Sequence, residues 1–154
     1  PVTLPVMERL MTIPNMIGIK WTNPNYYEMH RITKLCGGDI NVINGPDETL
    51  LCGLAMGAHA GIGSTYNVMP RTFVRIYDAF RRGDLAEARA AQYKADALIE
   101  VMLAHNGLAS LKQMLAWNGF DMGYCTYPLK RLDAAEAAEL RRELDALDYD
   151  RAYR

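Results

Sequence analysis

The stretch Gly18-Ile19-Lys20-Trp21-Thr22 (GIKWT) sets a lysine directly after an apolar run, where a solvated charge has no local reason to stand. The run Met16-Ile17-Gly18-Ile19 is short and is followed by the turn-forming pair Asn23-Pro24, so it reads as a buried strand with Lys20 at its carboxyl end. Upstream, residues 3–12 have helical spacing with Pro5 in the first turn, and Pro14-Asn15 closes them. A helix therefore feeds the strand. Downstream, Asn23 reads as an N-cap with Pro24 at the first helical position. Met29, Ile32, Thr33 and Cys36 then recur on one face until Gly37-Gly38 stops the helix.

The alternation continues. A second short strand, Ile40 to Ile43, ends in Asn44-Gly45-Pro46, after which Asp47-Glu48 open an apolar helix through Met56 that Gly57 terminates. A third strand, His59 to Gly63, ends in Ser64-Thr65-Tyr66-Asn67. Strands that alternate with helices over connections of a few residues imply right-handed βαβ units and a parallel sheet. After Pro70 the strands cease. Helices are expected to Arg82, from Gly83-Asp84 with Leu85, Ala88, Ala95, Leu98 and Met102 on one face, from Leu108 to Asn118 past the Asn106-Gly107 break, and from Asp133 onward. Tyr124 to Leu132 reads as an irregular connection around Pro128. The expected division is thus βα units over residues 1–82 and a helical extension over 83–154.

Composition narrows the function classes. A chain of 154 residues, half of them apolar, can bury the core of one domain. Its 17 basic and 18 acidic residues favour no polyanion, so nucleic acid is not an expected partner. Neither a long uncharged apolar run nor a basic segment leading into one is present, which argues against a membrane partner or a signal peptide and makes a cytoplasmic protein the expectation. Cys36, Cys52 and Cys125 are odd in number and widely spaced, and are expected as reduced packing residues. His30, His59 and His105 show no metal-ligand spacing, so structural roles and no metal are expected. Trp21, Tyr26 and Tyr27 are read as packing aromatics, and the start at Pro1 in place of a methionine hints at an interior start.

The chemistry is carried by the strand ends. Lys20 and Thr22 follow the first strand, Asp47 and Glu48 the second, Ser64 and Thr65 the third. Each has an ordinary reading alone: a snorkelling lysine, carboxylates complementing a helix dipole, hydroxyls capping a turn. Their recurrence at equivalent places carries more weight. In a βα barrel the carboxyl ends of all strands converge on one mouth, which would make these groups one constellation.

GIKWT, NGPDE (Asn44 to Glu48) and GIGSTYN (Gly61 to Asn67) together resemble the carboxyl-terminal half of N-acetylneuraminate lyases, within the pyruvate-dependent Schiff-base aldolases related to dihydrodipicolinate synthase. The resemblance covers essentially the whole chain. Trp21-Thr22 after the lysine and the GSTYN form favour the sialic-acid branch. The resemblance implies an α/β fold, a (β/α)8 TIM barrel of which this chain supplies about strands 6–8 plus the helical extension. It implies that Lys20 forms a Schiff base with the ketone carbon of the substrate. That step needs an amine without its extra proton, since an ammonium has no lone pair, and Met16, Ile17 and Ile19 are expected to provide part of a desolvating setting. The protonated imine then accepts electrons from the breaking carbon–carbon bond, so that N-acetylneuraminate yields pyruvate and N-acetylmannosamine.

Further positions follow from the same resemblance. Gly45, Asp47 and Glu48 match the loop that binds the polyhydroxyl tail, and Thr22 and Ser64 match positions lining the same pocket. Pro46 stands where many relatives carry an aromatic residue. No cofactor beyond the covalent lysine–pyruvate Schiff base is implied. Expected partners are pyruvate, a keto-sugar acid, the amino-terminal half of the barrel and further copies of the chain in a tetramer. A complete barrel takes about 250 residues, so the chain is expected to be a carboxyl-terminal portion. The hydroxyl pair that binds the pyruvate carboxylate and the proton-relaying tyrosine would come from the other half, and Tyr66 is not assigned that relay. The alternatives are a related aldolase or dehydratase, dihydrodipicolinate synthase-like, acting on another 2-keto acid, and a non-catalytic truncated barrel.

Overall fold

Three parallel strands follow one another across the sheet in the order β1 (Gly18–Trp21), β2 (Asn41–Asn44) and β3 (Ala60–Gly61) in a computed structural model that describes residues 2–150. Pro1, on which the interior start rested, and the last four residues of the expected extension lie outside the described residues. Gly18 pairs with Asn41, Ile19 with Val42, Lys20 with Ile43 and Trp21 with Asn44, while Ile43 and Asn44 pair with Ala60 and Gly61. Lys20 is thus the third residue of a four-residue strand rather than the residue after one. The ladder extends through Asn41 N to Ile17 O (3.1 Å) and Ile62 N to Asn44 O (2.9 Å).

Helices α1 (Leu4–Leu10) and α2 (Tyr26–Leu35) pack on each other, and α3 (Leu50–Ala55), entered through a 3-10 turn over Asp47–Thr49, packs on β2 and β3. α2 begins later than Asn23-Pro24 implies. Asn23 Oδ1 accepts from Asn25 N (2.8 Å) in a local turn, and Asn25 is the cap, accepting from Glu28 N (3.1 Å). Met7, Trp21, Met29, Ile32, Ile40, Val42 and Ala58 form the core, with Ile19 and Met16 packed against it. Alternation along a strand sends Ile19, Trp21, Val42 and Asn44 to one face of the sheet. That face is the buried one: Val42 is 0% exposed.

These elements make one compact unit, residues 1–63, and residues 64–154 make a second. The second contains a 3-10 turn over Thr65–Asn67 and the helices α4 (Pro70–Arg81), α5 (Leu85–Ala104), α6 (Leu108–Trp117) and α7 (Ala134–Ala146). α5 packs on α4, α6 and α7. Ala88, Ala95, Leu98 and Met102 are buried along it, but Leu85 is 52% exposed because it begins the helix beside its cap, Asp84. The sequence boundary at 82/83 marks where α4 ends, whereas compactness groups α4 with α5.

Of the cysteines, Cys125 is buried and Cys36 half-buried, but Cys52 is exposed on α3. Tyr27 is likewise exposed, with the Arg31 guanidinium 5.8 Å from its ring centroid, so it is not a packing residue. His59 Nδ1 accepts from Val42 N (3.2 Å), and His105 Nε2 lies 3.3 Å from Glu143. No helix among the described residues is long and apolar enough to cross a membrane.

α7 opens with a capping box: Asp133 accepts from Glu136 N (2.8 Å) and Glu136 accepts from Asp133 N (2.9 Å). Two of the amides that a helix start leaves without partners are thereby satisfied. Asp133→Ala is expected to destabilise the fold by about 1 kcal/mol, read as a lower urea midpoint at unchanged slope.

Candidate functional site

Lys20 lies on the face of the sheet opposite the helices, with Gly18, Asn41, Ile43 and Ala60. Its side chain is exposed and makes no hydrogen bond or ion pair among the described residues. The expected apolar enclosure is not formed. A strand alternates with period two, so Ile19 turns away from Lys20 into the helix-side core, where Met16 also packs, and Ile17 is 79% exposed.

Thr22 and Gly45 stand one residue beyond β1 and β2, and register places them side by side. Gly45 N donates to Trp21 O (2.8 Å), and a β-carbon on Gly45 would stand 2.1 Å from Thr22 Oγ1. No larger residue allows this approach. Asp47 begins the 3-10 turn and is buried, its carboxylate lying against Gly63: a β-carbon there would fall 1.3 Å from Asp47 Oδ1. Glu48 beside it is exposed. Lys20, Thr22, Gly45, Asp47 and Glu48 therefore share the carboxyl ends of two adjacent strands. Ser64 belongs to the second unit, where it is exposed and its carbonyl accepts from Asn67 Nδ2 (2.9 Å).

Behind the loop stands a polar group that the strand-end reading did not single out. Asn44, last in β2, is 0% exposed on the face expected to be apolar. Its Nδ2 donates to Pro46 O (2.7 Å). Tyr26 Oη lies 2.5 Å from Thr49 Oγ1, 3.2 Å from Thr49 O and 3.4 Å from Asn44 Oδ1. Burial pushes the Tyr26 phenol up from its ordinary value, and the hydrogen bond with Thr49 only partly opposes this. The one sequence signal was an amide at the carboxyl end of the strand, directly before Gly45-Pro46. Among the described residues no three His, Cys, Asp or Glu side chains cluster closely enough to hold a metal ion.

An amine and a pair of carboxylates thus stand at the carboxyl ends of adjacent parallel strands in an α/β protein. Residues 2–147 match the dihydrodipicolinate synthetase family, and the chain belongs to it. The family's fold is the TIM barrel. The chain is 37% identical over 139 residues to the N-acetylneuraminate lyase of Rhizobium meliloti (strain 1021), a match covering 90% of this chain and 46% of that protein. Its structure is similar to that of the N-acetylneuraminate lyase of Proteus mirabilis, with a TM-score of 0.86 at 30% identity over 94% of this chain and 49% of that one. It is also similar to a catalytic lysine mutant of the sialic acid aldolase of Ruminococcus gnavus, with a TM-score of 0.90 at 25% identity over 99% of this chain and 52% of that one. The chain spans about half the length of these relatives.

The contact between Asp47 and Gly63 is testable by overpacking. Gly63→Ala must move either the carboxylate or the chain after β3, and is expected to cost about 2 kcal/mol in urea unfolding.

Proposed function

We propose that this chain is the carboxyl-terminal part of a Schiff-base aldolase that reversibly cleaves N-acetylneuraminate to pyruvate and N-acetylmannosamine. The observation that carries this reading is Lys20 on the open face of the sheet, beside the Thr22–Gly45 contact and the Asp47-Glu48 pair. The relatives named above support the choice of substrate. β1, β2 and β3 would be the sixth to eighth strands of the barrel, with residues 83–154 as its helical extension. The amino-terminal half would cover the face that carries Lys20. That covering supplies the desolvation which this half lacks on its own. The completed enzyme would be a cytoplasmic tetramer needing no metal.

The division of labour follows from the side chains. The Lys20 amine attacks the ketone carbon, and loss of water gives an imine. Once protonated, the imine takes up the electron pair of the bond between its α- and β-carbons while the hydroxyl on the β-carbon gives up its proton to a base and the sugar leaves as an aldehyde. The resulting enamine picks up a proton at its α-carbon and is hydrolysed to pyruvate, which frees the Lys20 amine. Asp47 and Glu48, acceptors only when ionised, are suited to the hydroxyls of the departing sugar. Gly45 lets the backbone come close, and Thr22 adds a hydroxyl beside it. A related aldolase or dehydratase for another 2-keto acid is favoured only if Pro46, between Gly45 and Asp47, reshapes the wall of the sugar pocket.

Borohydride trapping with pyruvate, followed by mass spectrometry, is expected to place an adduct on Lys20 in the completed enzyme, and Lys20→Ala should abolish both adduct and turnover. An adduct elsewhere, or substantial cleavage by the variant, sinks the assignment. Asp47→Ala should raise KM for N-acetylneuraminate by roughly tenfold or more while pyruvate trapping persists.

A further inference from the structure

We propose that Asn44, Tyr26 and Thr49 form a half-buried clamp that sets the position of the Gly45–Thr49 loop, making them positioning residues for recognition of the hydroxylated part of the substrate. The inference rests on the aldolase reading of the site for its consequence, though not for its geometry.

The loop is held at both ends, and the two carboxylates lie between. At the start, Gly45 N is tied to Trp21 O (2.8 Å) and Pro46 O to Asn44 Nδ2 (2.7 Å). At the end, Thr49 is tied through Oγ1 and its carbonyl to Tyr26 Oη at 2.5 and 3.2 Å. The orientation of the Asn44 amide is dictated by these neighbours. Nδ2 faces a carbonyl that only accepts, which leaves Oδ1 toward the Tyr26 hydroxyl at 3.4 Å. Reversing the amide would set two carbonyl oxygens against each other at a fully buried side chain.

The fold makes room for this amide. A β-carbon at Gly53 on α3 would stand 2.2 Å from Asn44 Oδ1, so the helix that follows the loop comes down directly on the clamp. The clamp therefore links β2, the first turn of α2, the loop and α3. A buried amide costs free energy unless its bonds are made, so an asparagine here is a poor choice for packing alone. What its bonds hold is Pro46 and, through Tyr26, Thr49, and these bracket Asp47 and Glu48. Lys20 is on β1, and none of these side-chain bonds reaches it. Loosening the clamp should shift the carboxylates without disturbing the amine.

The test uses Tyr26→Phe and Thr49→Val, which remove opposite partners of one hydrogen bond, and Asn44→Asp, which turns the donor to Pro46 O into an acceptor. In the completed enzyme each is expected to raise KM for N-acetylneuraminate, about tenfold for the first two and further for Asn44→Asp, with kcat changed by less than about threefold. The pyruvate concentration for half-maximal trapping on Lys20 should not move. In an Asp47→Ala, Glu48→Ala background, Tyr26→Phe should add little, because the groups it positions are gone. Equal losses in pyruvate trapping and sugar cleavage, or full additivity in that background, would overturn the clamp.

Amide hydrogen exchange distinguishes failure of the clamp from failure of the aldolase reading. Exchange over residues 45–49 should quicken in Tyr26→Phe and Thr49→Val whatever the reaction catalysed, and unchanged exchange there overturns the proposal. Should Asn44→Asp fail to fold, the other two variants carry the test unaided.

Discussion

The one-sided burial of a small parallel sheet is the constraint on which the rest of this structure depends. Ile19, Trp21 and Val42 point toward the helices because apolar surface is driven out of water, at about 25 cal/mol for each Å² removed. Side chains alternate along a strand, so this burial leaves Lys20, Asn41 and Ile43 no choice but the opposite face. A slip of one residue would bury an ammonium and expose a core. The register of β1 and β2 also places Thr22 against Gly45, and so sets how closely the two strand-end loops approach.

From that register the site grows by close contacts. Gly45 against Thr22 and Gly63 against Asp47 are approaches that a side chain on the glycine would forbid. They bring the loop after β2 against the chain on either side of it. Asn44 continues the pattern inward, its amide taking space left by Gly53 and bonding the backbone of the loop it precedes. A polar layer thus lies between the apolar core and the exposed strand ends. On the proposed reading this layer holds the sugar-binding carboxylates, while the amine belongs to a neighbouring strand and is held only by the sheet.

Much of the fold was legible because its signals are local. The helices over 70–81 and 85–104, the helix starts at Gly83-Asp84 and Asp133, and the breaks at Gly57 and Asn106-Gly107 all depend on residues within a turn or two of one another. The strands were less well placed. Each is short, and its ends are decided by the neighbouring strand, which is why β1 extends through Lys20 to Trp21 and β2 begins at Asn41. The cap of α2 was displaced for another local reason, since Asn23 and Asn25 compete for the same role and Asn25 lies three residues before the amide of Glu28.

By itself the sequence determined the alternation of strand and helix, the parallel sense of the sheet and the polar residues at the strand ends, since each follows from spacing along the chain. The tertiary structure alone decided that Lys20 stands on an open face while Ile17 fails to shield it, that Asp47 is buried and Glu48 is not, and that Asn44 serves the loop. The physical reason is that these depend on pairs such as Asp47 with Gly63 and Tyr26 with Thr49. Residues so far apart in the chain meet only when register and helix packing bring them together.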